Sequence, residues 1–191
     1  MFTAASIRRQ IFYGIGDQPF SIRDFLRYGS RAAVDQVFYR LVKAGRIVRV
    51  ARGVFIKNTA PYPHALTVAK VKAAAFCRAI ASHGGRAAHI LKMSDDKSFE
   101  HTFAASGRTS SFRFGTTTIR FIGTAARKLH LLDAPVGLAI RALWHLGRQA
   151  CDRYAVSLAT WSFGRTDRQL LRQSHHVMPD WMRSCFASLN R

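Results

Sequence analysis

Between Ser30 and Asn58 the apolar positions fall first at helical and then at strand spacing. Val34, Val37, Phe38, Leu41 and Val42 recur at i, i+3, i+4, i+7 and i+8, which predicts one buried stripe on an amphipathic helix. Ser30 stands where an N-cap is expected, and Gly45 where a left-handed residue would stop the helix. Arg31, Gln36, Tyr39, Arg40 and Lys43 are left facing outward. Beyond the glycine, Ile47, Val48, Val50, Val54, Phe55 and Ile56 flank Arg52-Gly53, a hairpin signal. Arg46, Arg49, Arg52 and Lys57 stud that ribbon. A helix with a basic, hydrogen-bonding face followed by an arginine-rich hairpin predicts the latter half of a winged helix. Such a helix suits the major groove of DNA, and the ribbon suits the backbone or the minor groove.

The preceding residues supply the rest of that pattern. Ile7, Ile11 and Phe12 predict a short helix over 4–14, and Phe20 a short strand. Ser21 and Asp24 open a second helix, with Phe25 and Leu26 as its core contacts and Tyr28-Gly29 as its end. The proline-punctuated stretch around Pro61 and Pro63 reads as a linker over 59–64. This gives an expected DNA-binding domain over 1–58 and a second domain over 65–191. In the latter, an alanine-rich helix is expected over 65–82, with Val68, Val71, Ala75 and Phe76 inward. A short helix around 87–91 follows. Strands are expected over 101–105, 111–114 and 117–122, punctuated by Gly107, Gly115 and Gly123 and read as a small antiparallel sheet. Further helices are expected over 135–146, 165–174 and 180–189. The fold class expected is α+β, a winged helix-turn-helix followed by a mixed domain.

Charge sharpens this picture. The 191 residues hold 30 Lys and Arg against 10 Asp and Glu, a formal net charge of +20. Such a surplus destabilises a compact state by self-repulsion and points to a polyanionic partner. Residues 1–58 alone carry eleven Lys and Arg against three Asp. No apolar run is long enough to span a bilayer, and the N-terminus lacks the apolar stretch of a secretory signal, so a cytoplasmic protein without membrane contact is expected. Cys77, Cys151 and Cys185 are odd in number and widely spaced, which suggests neither a disulfide framework nor a zinc site. Glu100 is the only glutamate and Asp95-Asp96 the only acidic doublet. His83, His89, His101 and His175-His176 fit no metal-ligand spacing. Neither a cofactor nor catalysis is expected.

The stretch DFLRYGSRAAVDQVFYRLVKAGRIVRVARGVF, and in the second half HTFAASGRTSSFRFGTTTIRF, resemble the AbiEi family of antitoxins from type IV toxin–antitoxin systems of bacteria. The resemblance rests on the Asp24-Phe25 entry, Ser30-Arg31, the run Arg40 to Gly45, and Arg52 to Phe55. In the second half it rests on Gly107-Arg108 and Thr116 to Phe121. It covers about residues 5–148. It implies a winged helix that binds operator repeats in its own promoter and represses it. It also implies a second domain that counters a cognate nucleotidyltransferase-like toxin encoded beside it.

Arg31 and Arg40 suit bidentate contacts to guanine or phosphate, Gln36 suits adenine, and Tyr39 suits a phosphate or packing against sugar. Asp35 would be repelled by phosphate, so its expected role is to neutralise Arg31 one turn earlier. Arg49 and Arg52 are expected anchors for the backbone or minor groove, against the alternative that charge merely protects a hairpin edge. Lys43 and Arg46 also favour the helix dipole. Arg108, Arg113 and Arg120 are expected at solvated positions that alternate with buried Phe112, Phe114 and Phe121, against the alternatives that they face an acidic surface of a partner or extend the DNA footprint. Two other readings stay open: a stand-alone winged-helix regulator, and an RNA-binding protein whose aromatics would have to be exposed for stacking.

Overall fold

The computed structural model describes residues 2–187 and shows an α+β chain. Close packing divides it into two units. The first runs to Arg78 and adds Ser111–Ile119, and the second comprises Ala79–Ser110 and the residues from Arg120 onward. The proline-punctuated stretch at 59–64 therefore lies inside the first unit.

In the first unit, helix α1 (Phe2–Arg9) continues as a π-helical turn over Gln10–Gly14, and Ile7 and Ile11, four residues apart, are fully buried. Strand β1 (Phe20–Ser21) leads into a segment that is a 3-10 helix, Ile22–Tyr28. Ser21 caps it as expected, in a capping box: the Ser21 hydroxyl accepts from the Arg23 amide, and the Ser21 amide donates to the Asp24 carboxylate at 3.0 Å. Helix α2 (Arg31–Lys43) follows, capped by the Ser30 hydroxyl. It ends in a Schellman arrangement, in which the Arg46 amide donates to Leu41 and the Gly45 amide to Val42, with Gly45 at φ 64°.

Strands β2 (Ile47–Ala51) and β3 (Val54–Lys57) form the hairpin, antiparallel from Ile47↔Lys57 to Ala51↔Val54. Gly53 turns the chain at φ 79°, and a register shift between Arg49 and Ala51 marks a bulge that adds local twist. β3 also pairs with β1, and Ala51 of β2 meets Phe114 of β6 (Ser110–Phe114). Phe20, Phe25, Phe38 and Phe55 fill the core edge to face, with ring centroids 5.0–6.2 Å apart.

Three expected core contacts are absent. Leu26 is 38% exposed because the tighter 3-10 turn rotates it off the packed face. Val42 is 40% exposed, because the buried side of α2 is already filled by Val34, Val37, Phe38 and Leu41. Phe76 is 48% exposed, since α3 (Ala65–Ala74) stops before it.

The expected helix over 65–82 is thus too long. The chain reverses through Cys77 at φ 53°, and Ile80–Ser82 form strand β4. Helix propensity yields there to pairing with β5 (Thr102–Ala105), antiparallel from Ile80↔Ala105 to Ser82↔Phe103. The sheet is mixed rather than purely antiparallel. β5 runs parallel to the end of β7 (Thr117–Gly123), Phe103 opposite Phe121, because the chain reverses twice between them.

Helix α4 (Gly84–Ile90) packs on α5 (Pro135–Leu146), which begins and ends where the sequence predicts. A Cβ on Gly84 would lie 2.6 Å from the Cβ of His145 and 2.8 Å from the Arg141 carbonyl, so glycine permits this approach. Helix α6 (Arg153–Thr160) was not expected, whereas α7 (Arg165–Gln173) and α8 (Asp180–Ala187) fall where they were. The last two residues of the expected helix over 180–189 lie outside the described residues. None of the described helices is long and apolar enough to cross a membrane.

Candidate nucleic-acid interface

At about 100° of rotation per residue, Gln36, Tyr39 and Lys43 (i, i+3, i+7) occupy the middle of the exposed face of α2. Arg40 lies on one flank of that face, and Arg31 and Asp35 on the other. All these side chains are exposed. The expected partnership of Asp35 is present: Arg31 Nε donates to both of its carboxylate oxygens, at 3.0 and 2.8 Å. Both partners are about half exposed, so this i,i+4 pair contributes only about 0.3–0.5 kcal/mol and is readily exchanged for another anion.

The remaining cations gather in two places. Arg40 and Arg46 border a groove with Arg8, Arg9, Phe12 and Tyr13, where the Arg46 guanidinium lies 4.7 Å from the Phe12 ring centre and Tyr13 is 88% exposed. Arg49 and Arg52, at the other end, share the hairpin turn with Arg23 and Lys72. The Lys72 ammonium donates to the Arg52 carbonyl and lies within 5.6 Å of the ring centres of Phe76 and Phe112. The Arg23 guanidinium stacks 4.1 Å above Phe76. Partial burial, and then Arg52, Arg49 and Arg23, hold the Lys72 pKa below its ordinary 10.5.

Arg23 and Lys72 carried no signal in the sequence. Lys72 reads as one more polar residue of an alanine-rich helix, and only tertiary packing brings it beside the hairpin. The pairing of Ala51 with Phe114 also bears on the ribbon: at its turn end β2 is not an open edge, so edge protection does not account for Arg52.

The acids of the first unit are already engaged. It holds fifteen Lys and Arg against three Asp. Asp17 faces Lys57 at 3.7 Å, Asp24 caps the 3-10 helix and Asp35 holds Arg31. Among the described residues, Arg40, Lys43, Arg46, Arg49 and Arg52 have no carboxylate within ion-pair distance.

Arg108, Arg113 and Arg120 are exposed. Phe114 and Phe121 are buried as expected, but Phe112 is only half-buried. No group of three or more His, Cys, Asp or Glu among the described residues is placed to hold a metal ion.

No curated protein and no solved structure matches the chain. The model of one family matches residues 17–160, a span that includes α2, the hairpin and all eight candidate contact residues. The chain therefore belongs to that family, which is described as a family of unknown function (DUF6088).

Proposed function

We propose that the first unit is a winged-helix DNA-binding module, and that the chain is a transcriptional autorepressor acting as the antitoxin of a type IV, AbiEi-like pair. The observation that carries the DNA reading is the surplus of cations on α2 and the hairpin, where the unit's three carboxylates are taken up by Arg31, Lys57 and the Ser21 cap and none reaches Arg40, Lys43, Arg46, Arg49 or Arg52. The order of helix, 3-10 helix, helix and hairpin agrees with a winged helix. In this reading Gln36, Tyr39 and Lys43 face the floor of the major groove. Arg40 and Arg46 hold one phosphate strand. Arg49 and Arg52, joined by Arg23 and Lys72, hold the backbone beside the next groove. Arg31 exchanges Asp35 for a phosphate or a guanine.

The antitoxin half of the reading rests on the resemblance alone. Its partners are the operator repeats of its own promoter and a nucleotidyltransferase-like toxin, met in the cytoplasm. The experiment is co-expression with the neighbouring gene, scoring growth with the native chain and with Arg40→Ala/Arg49→Ala. Duplex DNA from the chain's own upstream region is titrated in parallel. Growth rescue by both proteins, with loss of DNA binding in the variant, is expected. A neighbour that is not toxic removes the antitoxin reading and leaves a stand-alone regulator. A native chain that prefers single-stranded RNA to the duplex removes both in favour of an RNA-binding protein.

A further inference from the structure

The second unit holds a cleft of about 440 Å³. Its walls come from the start of α4 (His83, Gly84), the end of β7 and the loop after it (Ile122 to Lys128), and one side of α5 (Arg141, Trp144, His145). Arg127, Lys128 and Arg141 line it together with two histidines, and no carboxylate does. We propose that this cleft binds a phosphate-bearing small molecule of about the size of a nucleoside phosphate.

Arg141 is the anchor. It is 97% buried, a rare state for arginine, and is held on one side only. Nε donates to the Ser82 carbonyl at 3.0 Å, and Nη2 donates to the Leu132 carbonyl and to Asp133 Oδ1. Nη1 is buried with no acceptor. Buried donors are nearly always satisfied, so an orphaned guanidinium nitrogen on a residue that lines a cleft points to an anionic oxygen as its missing partner.

The rim repeats the pattern. Arg127 and Lys128 lie 5.2 and 4.9 Å from the ring centre of Trp144, which holds both cations near the cleft without neutralising them. His83 is pushed below its ordinary pKa by burial first, and then by His145 and Lys128. The volume lies in the range of small-molecule sites, roughly 300–1,000 Å³, and exceeds the need of a bare phosphate. Ala104, Ile122 and the indole of Trp144 offer apolar surface to the rest of such a ligand.

The inference does not rest on the DNA reading, and its test keeps the two apart. The full chain is titrated calorimetrically with ADP and with inorganic pyrophosphate. Saturable one-to-one binding of ADP is expected, tighter than that of pyrophosphate. Affinity should fall at least tenfold in Arg127→Gln/Lys128→Gln. It should be unchanged in Arg165→Gln/Arg168→Gln, which removes the same charge from α7, and Arg141→Lys should weaken it with the fold retained by circular dichroism. Absence of saturable binding overturns the proposal, as does equal weakening by both double variants. Displacement of ADP by excess duplex DNA also overturns it, since the cleft would then belong to a nucleic-acid track. Duplex binding by Arg127→Gln/Lys128→Gln, measured on the same samples, reports separately on the first unit.

Discussion

The first unit packs four phenylalanine rings edge to face, whereas the main core of the second is mostly alanine, valine and leucine, and the unit also buries an arginine, Arg141. The two also differ in where their acids go. In the first, all three carboxylates are spent on a cap and two ion pairs, one exposed and one with its lysine largely buried, and the other cations of α2 and the hairpin are left facing solvent. In the second, Asp133 is drawn to Arg141 and accepts from the Ser82 amide as well, so one ion pair ties β4, the loop before α5 and α5 itself. A surface that keeps its cations unpaired over an apolar core is what the proposed polyanionic partner would require. A charge taken into the core, by contrast, serves the fold first and any ligand second.

The sharpest way to break this contrast is to remove one ring. Phe38 meets Phe20, Phe25 and Phe55 and is 2% exposed, so Phe38→Ala should cost roughly 3–5 kcal/mol. Denaturant unfolding checks this, and a loss under about 1 kcal/mol would mean that the rings do not carry the core. In the second unit Arg141→Met fills a similar volume but leaves the Ser82 and Leu132 carbonyls without a donor. A smaller loss, about 1–3 kcal/mol, is expected in the same measurement.

Acid should separate the units further, because the first holds a single histidine, His64, against seven in the second. The pKa of His83 in the fold lies below its ordinary 6.5, owing first to burial, so the unfolded chain takes up the proton first as pH falls. That contribution to stability is complete above about pH 6.5 and is lost as pH falls from there to the lowered native value. Protonation also removes the Nδ1 acceptor that caps the Gly85 amide. His83→Asn keeps a capping oxygen but does not titrate, so it should flatten the acid side of a melting-temperature profile. An unchanged profile would assign the acid sensitivity elsewhere. The smallest effect belongs to Arg31→Ala, which should change stability by no more than about 0.5 kcal/mol in thermal or denaturant melts. A larger loss would show that the Asp35 pair is structural.

Much of the first unit could be read from residue order, because its signals are local. Ser21, Ser30 and Gly45 act on amides and carbonyls within a few residues of themselves, and the stripe from Val34 to Leu41 is fixed by helical geometry. The second unit was harder to read because its decisive interactions are distant in sequence. Ile80–Ser82 lie in an alanine-rich run with helical propensity, and only β5, some twenty residues on, makes them a strand. The direction of β7 depends on two reversals, which no alternation pattern records. For the candidate interface, exposure of the eight residues followed from periodicity. Arg23 and Lys72 join them only through packing, and the cleft around Arg141 depends on an arginine that looks, in sequence, like an ordinary helix-surface residue.

The central claim is that the unpaired cations of α2 and the hairpin meet DNA phosphates, and salt dependence tests it most directly. The full chain and its Arg49→Ala/Arg52→Ala variant are titrated with duplex DNA over a range of salt concentrations. The native chain should give a steep linear fall of log K with log salt, and the variant a slope shallower by about two, near 0.9 for each lost phosphate contact. Equal slopes for the two proteins, or native binding indifferent to salt, would contradict it.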